Sequence, residues 1–137
     1  MAAISVTAAN VLKSTSSSTE HGRYGATVTA GQVVYRDSTD GFDMKLAQAT
    51  TAALCNAYGI ALNGGADGQP SEVIRSGLYN PGGTVVVGQV YCVSALAAGA
   101  IVPYGDLASG EFVTVLGVGI TAASILVNII VSGIAKP

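Results

Sequence analysis

The stretch FVTVLGVGITAASILVNIIVSGIA, residues 112–135, decides the fold class of this chain. It carries no Asp, Glu, Lys or Arg, and it is longer than the roughly 20 residues that a membrane-spanning helix needs. Its Val and Ile residues nevertheless come in short runs, 113–116 and 125–131, bounded by glycine, serine and threonine. Short β-branched runs of this kind are typical of strands. The stretch therefore predicts strands rather than a helix.

The chain as a whole has few charges. Only 10% of its 137 residues are Asp, Glu, Lys or Arg, against about 25% in an ordinary soluble domain. Such a chain must lie in lipid or bury much of its surface against other protein. A second charge-free stretch, residues 76–105, is also broken by Pro and Gly, so we expect burial and no membrane insertion. Six basic against eight acidic residues exclude the basic surface that binds nucleic acid directly.

From residue 26 onward the sequence repeats itself. GQVVYR (31–36) matches GQVYCV (88–93), YGIAL (58–62) matches LGVGI (116–120), and EVIRSG (72–77) matches NIIVSG (128–133). Three matches in the same order, at a spacing of 56 to 58 residues, predict an internal duplication within a single β domain, residues 26–137. The two units cover about residues 26–80 and 83–137.

Each unit consists of short runs of strand-forming residues separated by turn signals. The first strand of each unit is predicted at residues 26–29 and 84–87, and Gly-Gln turns follow at Gly31 and Gly88. Strands at a spacing of roughly 8–12 residues indicate an all-β barrel or sandwich. The predicted fold class is therefore all-β, a small barrel or sandwich built from two similar units of about 55 residues.

Residues 1–25 differ from the rest and predict an extended N-terminal arm. Residues 14–19 are an unbroken run of Ser and Thr, which cannot build a core and predicts a flexible middle. The apolar residues Val11 and Leu12 predict a short strand or adhesive segment before it. Two interpretations remain open: a disordered tail, or an arm that becomes ordered on a neighbouring subunit.

Residues for catalysis or metal binding are sparse. The single histidine, His21, lies in the polar arm, outside any Cys/His or Ser/His/Asp arrangement. Asp37, Asp40 and Asp43 resemble part of a calcium loop, but the glutamate that would complete such a loop is missing, which favours a solvated turn. The sequence therefore predicts a protein that is not an enzyme and has no catalytic residues, no metal site and no cofactor. We expect residues 36–45 to face solvent, and residues 76–105 to form core and subunit interface.

The cysteines and tyrosines indicate where the chain is buried and where it makes contacts. Cys55 and Cys92 lie in apolar surroundings and are predicted to be small buried side chains of a protein made in a reducing cytoplasm. Six tyrosines without tryptophan suit protein interfaces. The predicted candidates for subunit or capsid contact are Val11, Leu12, Arg23, Tyr24, Tyr79 and Tyr104.

Four segments carry a resemblance to a known family. They are TAGQVVY (29–35), GIALNGGADGQP (59–70), LASGEFVTVLGV (107–118) and IVSGIAKP (130–137). Together they span most of the chain, which resembles the capsid decoration, or head cement, proteins of tailed bacteriophages. The specificity of the resemblance comes from the order and extent of the segments, since none is a catalytic signature.

The resemblance implies a structural virion protein. Such a protein decorates and stabilises the outer surface of the capsid by bridging neighbouring major capsid protein subunits, and is made in the cytoplasm of the bacterial host. The implied partners are the major capsid protein and further copies of the chain in a homo-oligomer, a trimer, with no direct nucleic-acid contact. An alternative is a surface-displayed carbohydrate-binding or adhesin β module, for which Tyr79 and Tyr104 are the candidate aromatic platform. A weaker alternative is a component of the tail or baseplate.

Overall fold

The computed structural model describes residues 3–14 and 16–137, and the predicted all-β class is confirmed. The strands of this part of the chain are β1 (Leu12–Lys13), β2 (Ser18–Arg23), β3 (Val33–Asp37), β4 (Asp43–Leu46), β5 (Ala57–Ala61), β6 (Pro70–Asn80), β7 (Val90–Val93), β8 (Ile101–Pro103), β9 (Phe112–Thr121) and β10 (Ser124–Ala135). Two short 3₁₀ helices occupy Ala8–Asn10 and Tyr104–Asp106. The strands form one antiparallel sheet that curls into a half-barrel.

The two halves of this sheet have the same strand order. The order along the sheet is β4-β3-β5-β6-β10-β9-β7-β8, so the β4-β3-β5-β6 half and the β8-β7-β9-β10 half meet where β6 pairs with β10. Both halves begin with a hairpin, β3–β4 or β7–β8, and end with an antiparallel pair, β5–β6 or β9–β10.

A glycine lies at the same pairing position in both halves. Gly59 pairs with Val34 and Gly117 pairs with Tyr91, and a β-bulge follows each pair. A Cβ atom at Gly59 would lie 2.8 Å from the carbonyl oxygen of Ile74, and one at Gly117 would overlap the carbonyl oxygen of Leu126. Glycine is therefore required at both positions because a neighbouring backbone approaches too closely for any side chain.

The first strand predicted for each unit does not form. Residues 26–29 make only an isolated bridge between Val28 and Gly65, and residues 84–87 contain no strand. The third sequence match is also out of register with the strand pairing. The match aligns Ile74 with Ile130, but the strand pairing makes Ile74 equivalent to Leu126, since Ile60 pairs with Ile74 and Val118 pairs with Leu126. The offset arises because residues 62–69 form a longer connection than the two-residue turn between β9 and β10.

The N-terminal arm lies on the body of the same chain. β1 and β2 pair with β6, and the backbone N–H of Ile4 donates a 3.0 Å hydrogen bond to the carbonyl oxygen of Ile101. The predicted flexible middle, residues 14–19, is wrong for Ser18 and Thr19, which lie in β2, because main-chain hydrogen bonds to the edge of β6 do not require apolar side chains. Residues 1, 2 and 15 of the predicted arm lie outside the described residues.

The buried side chains form two clusters. The larger contains residues of both halves, including Ile60, Ile74 and Ile125. The smaller contains Tyr24 and Val34 and lies beside the first half. Successive residues of one strand point to opposite faces, so the first half of the sheet is buried on both faces where β3, β5 and β6 pair.

Candidate functional site

An exposed apolar face covers part of β6, β10 and β9. Leu126 pairs with Leu78 on one side and with Val118 on the other, and Ile120 continues the same row along β9. All four side chains are exposed. Directly paired residues of neighbouring strands have Cβ atoms about 5 Å apart, so these side chains form one continuous surface. We call these four residues the apolar face.

The first half of the sheet buries the residues that correspond to this face. Ile60 and Ile74 form the same cross-strand pair in the first half as Val118 and Leu126 form in the second. Ile60 and Ile74 are 0% exposed, whereas Val118 and Leu126 are 36% and 44% exposed. The second pair keeps the apolar character of a core pair although the described part of the chain does not cover it. Contact with another protein is the usual role of such a surface.

Residues 76–105 divide between core and surface. Tyr91 and Ile101 are buried, but Val86, Val87 and Leu96 are exposed. The carbonyl oxygen of Val86 lies on the Cβ side of Gly119, so this loop contacts the face of β9 opposite to Val118 and Ile120. The sequence therefore located part of the exposed apolar surface but missed Val118 and Leu126 as members of it.

The predicted contact residues of the arm lie at different depths. Leu12 is exposed on β1, while Val11 is half-buried and packs against the larger core cluster. The Arg23 guanidinium donates two hydrogen bonds of 3.0 Å to the carboxylate of Asp43. The structure therefore leaves Leu12 on the surface and engages Val11 and Arg23 within the chain.

Two of the three predicted contact tyrosines are core residues. Tyr24 and Tyr79 are 0% and 1% exposed, because β2 and β1 pair with β6 and draw the adjoining residues into the core. Tyr104 is 38% exposed, with the Lys136 ammonium 4.4 Å from the centre of its ring. Tyr79 and Tyr104 therefore do not form the shared aromatic platform that the sequence suggested for carbohydrate binding.

The hairpin β3–β4 carries a network of paired charges. The Lys45 ammonium lies 2.8 Å from Asp37 and 3.2 Å from Asp40. The hydrogen bond from Lys45, with two from Thr39, lowers the pKa of Asp37 to about 2. Asp43 is buried beside Arg23, so the expectation that residues 36–45 face solvent holds for Arg36 and residues 38–42 but is wrong for Asp43 and Met44.

A pocket lined by two arginines lies next to this hairpin, and no pattern in the sequence indicated it. The guanidinium carbons of Arg36 and Arg75 lie 4.2 Å and 3.9 Å from the centre of the Tyr58 ring. Arg36 also lies 5.4 Å from the Phe42 ring. The open pocket has a volume of about 400 Å³, and Ile129 is part of its wall. Arg36 and Arg75 come from strands that are distant in sequence, so no local motif joins them.

The two cysteines are free and buried, as predicted. The Cys55 thiol lies 3.2 Å from the Thr114 hydroxyl oxygen. Burial raises the pKa of both thiols, that of Cys92 to about 11, so both stay protonated at neutral pH. This environment favours an unreactive structural thiol over a nucleophile.

Within residues 3–14 and 16–137, no three His, Cys, Asp or Glu side chains are arranged to hold a metal ion. The same residues include no helix of the length and apolar character needed to cross a membrane. The chain matches none of the protein-family models with which it was compared, and no curated protein matches it.

Proposed function

We propose that this protein is a structural virion protein that decorates the outer surface of a bacteriophage capsid and bridges neighbouring major capsid protein subunits. The proposal starts from the resemblance of the four segments described above. The structural observation that carries it is the apolar face, which is built like a core pair and is open in the described chain. We assign this face to contact with the capsid shell.

The thermodynamics of such a contact explain its stabilising effect. A protein that binds the assembled shell, but not its separated subunits, shifts the equilibrium toward the shell. Many copies on one shell, each a homotrimer in this proposal, add avidity without a strong individual contact. An apolar face of moderate size on each copy is therefore sufficient, and the protein needs no catalytic centre.

The test is binding to DNA-filled heads of the same phage that lack the decoration protein. Wild-type protein should co-sediment with these heads and raise the temperature at which they release DNA. Leu126→Ser should bind at least tenfold more weakly. Leu96→Ser is the matched control, because Leu96 is exposed but lies outside the apolar face. Circular dichroism checks that both variants are folded.

Two results would contradict the proposal. Wild-type protein that does not bind heads would overturn the capsid role, and equal loss of binding by both variants would overturn the assignment of the apolar face. The carbohydrate-binding alternative predicts a different result: binding on a glycan array without binding to heads.

A further inference from the structure

Arg36 and Arg75 carry positive charge that the described chain does not neutralise. Three of the other cationic side chains are ion-paired with carboxylates: Lys13 with Glu72, Arg23 with Asp43, and Lys45 with Asp37 and Asp40. No described carboxylate lies within 4.0 Å of Arg36 or Arg75. Both line the same open pocket, in a chain whose net charge is −2.

The ring of Tyr58 contacts both guanidinium groups, because Tyr58 on β5 lies between Arg36 on β3 and Arg75 on β6. A guanidinium that lies over an aromatic ring uses its flat face, so its N–H edge can still donate hydrogen bonds. Nη1 of Arg75 donates a 2.6 Å hydrogen bond to the carbonyl oxygen of Tyr58, which fixes this side chain further. The pocket therefore presents two cations on ordered side chains, with less conformational freedom to lose on binding.

Phe42 stands at the rim of this pocket in an unfavourable backbone conformation. Its φ of +62° is the only positive φ outside glycine among the described residues, and its side chain is 56% exposed. Phe42 lies in the turn of the β3–β4 hairpin, and its ring lies 5.4 Å from the guanidinium carbon of Arg36. Strained positions of this kind are concentrated at ligand sites, where the rest of the structure holds them.

We propose that this pocket binds a carboxylate side chain presented by an acidic segment of a partner protein. The forked N–H groups of arginine match a carboxylate, and the exposed ring of Phe42 with the apolar wall of Ile129 and Val131 suits the neighbouring side chains of a peptide. A nucleic-acid backbone binds through clusters of several basic residues, whereas only Arg36 and Arg75 supply positive charge in this pocket. The site is separate from the apolar face and does not depend on the capsid proposal.

The test is a titration of ¹⁵N-labelled protein with acetyl-Glu-Glu-Glu-amide, followed by NMR. The peptide should cause saturable shifts in the side-chain N–H signals of Arg36 and Arg75. Arg36→Gln should weaken binding at least tenfold. This substitution is not expected to unfold the chain, because Arg36 is exposed. Lys136→Gln removes a positive charge outside the pocket and should bind like the wild type.

A second variant separates charge from geometry. Arg75→Lys keeps the charge but loses the forked donor and should bind severalfold more weakly than the wild type. The uncharged peptide acetyl-Gln-Gln-Gln-amide should not bind. No saturable shift with the acidic peptide, equal weakening by Lys136→Gln, or binding of only glucuronate or inorganic phosphate would overturn the proposal. The titration uses the protein alone, so its failure would leave the head-binding test unaffected.

Discussion

The hydroxyl groups of three core tyrosines differ in their hydrogen bonding. The Tyr24 hydroxyl donates to the carbonyl oxygen of Asn63 at 2.7 Å, and the Tyr91 hydroxyl oxygen accepts from the backbone N–H of Val86 at 2.9 Å. The Tyr79 hydroxyl is buried without a hydrogen-bond partner in the described part of the chain. Burial raises the pKa of Tyr79, and that of Tyr24 to about 12. Tyr79 therefore bears a desolvation cost that no hydrogen bond offsets.

Removing this hydroxyl should stabilise the protein. Tyr79→Phe is expected to raise the free energy of unfolding by about 1 kcal/mol, since it deletes a buried group without a partner. The matched substitution Tyr91→Phe should lower it by about 1–2 kcal/mol, because the N–H of Val86 loses its acceptor. Urea unfolding at a single pH measures both. Equal effects at the two positions would contradict this explanation.

Asp37 should contribute a pH-dependent part of the stability. Its pKa of about 2 in the folded protein lies below the value of about 3.9 for an aspartate in an unfolded chain. A lowered pKa stabilises the folded state above the unfolded value, and this contribution disappears as the pH falls through the folded value. Between pH 5 and pH 2 the wild type should therefore lose more stability than Asp37→Asn.

The urea midpoints of the two proteins at several pH values test this expectation. The difference between wild type and Asp37→Asn should be largest near pH 5 and should shrink toward pH 2. A difference that stays constant over this range would contradict the role of the ionised carboxylate. Lys45 remains charged throughout, because its hydrogen bonds to Asp37 and Asp40 raise its pKa.

At the scale of elements, β9 and β10 pack closely because of one glycine. A Cβ atom at Gly117 would overlap the carbonyl oxygen of Leu126, which is held in the sheet and cannot move independently. Gly117→Ala should lower the free energy of unfolding by about 2–3 kcal/mol. Gly105→Ala is the control: a Cβ atom there has no atom within 4 Å, so the change should be within about 0.5 kcal/mol. Equal stability of the two variants in urea would contradict the steric explanation.

The strand β2 illustrates how an element can form without an apolar sequence. Its residues, Ser18–Arg23, are mostly exposed, and their composition alone predicts flexibility. They are ordered because the edge of β6 supplies hydrogen-bond partners along the whole segment. The loss of conformational entropy on ordering this segment is offset by main-chain hydrogen bonds, which any residue except proline can donate.

At the scale of the molecule, contacts join the two halves at several places, among them main-chain hydrogen bonds of Ala49 with Ser94 and Phe112. β6 pairs with β10, and the N-terminal arm contacts both halves, with β2 on β6 and Ile4 on Ile101. The larger core cluster also draws residues from both halves. The smaller cluster draws only on residues 24–73, but the larger one needs both halves, so we expect the protein to behave as one folding unit.

Unfolding in urea should therefore be a single cooperative transition. Far-ultraviolet circular dichroism and tyrosine fluorescence should give the same midpoint, although one reports on strands and the other on the packing of rings. Single-site core substitutions in either half should shift both curves together. Two separated transitions would show that the halves fold independently.

The sequence predicted part of the apolar face but not the arginine pocket. Low charge and the runs of Val and Ile indicated that apolar surface would meet other protein, but not which strand faces remain open. That depends on which face of the curled sheet carries the core, and Val118 and its buried counterpart Ile60 are chemically similar. The pairing of Arg36 with Arg75 depends on strand order across the sheet, which no local pattern encodes.

The sequence by itself determined the all-β class, because the spacing of β-branched residues and glycines reflects local backbone preferences. It also determined that the cysteines are buried, because their neighbours are apolar. Only the tertiary structure decided that Tyr24 and Tyr79 lie in the core, that the arm pairs with β6, and where the apolar face lies. These features depend on contacts between residues that are distant in sequence. Local sequence patterns do not determine which of those residues come into contact, because the free energy of such contacts depends on the packing of the whole fold.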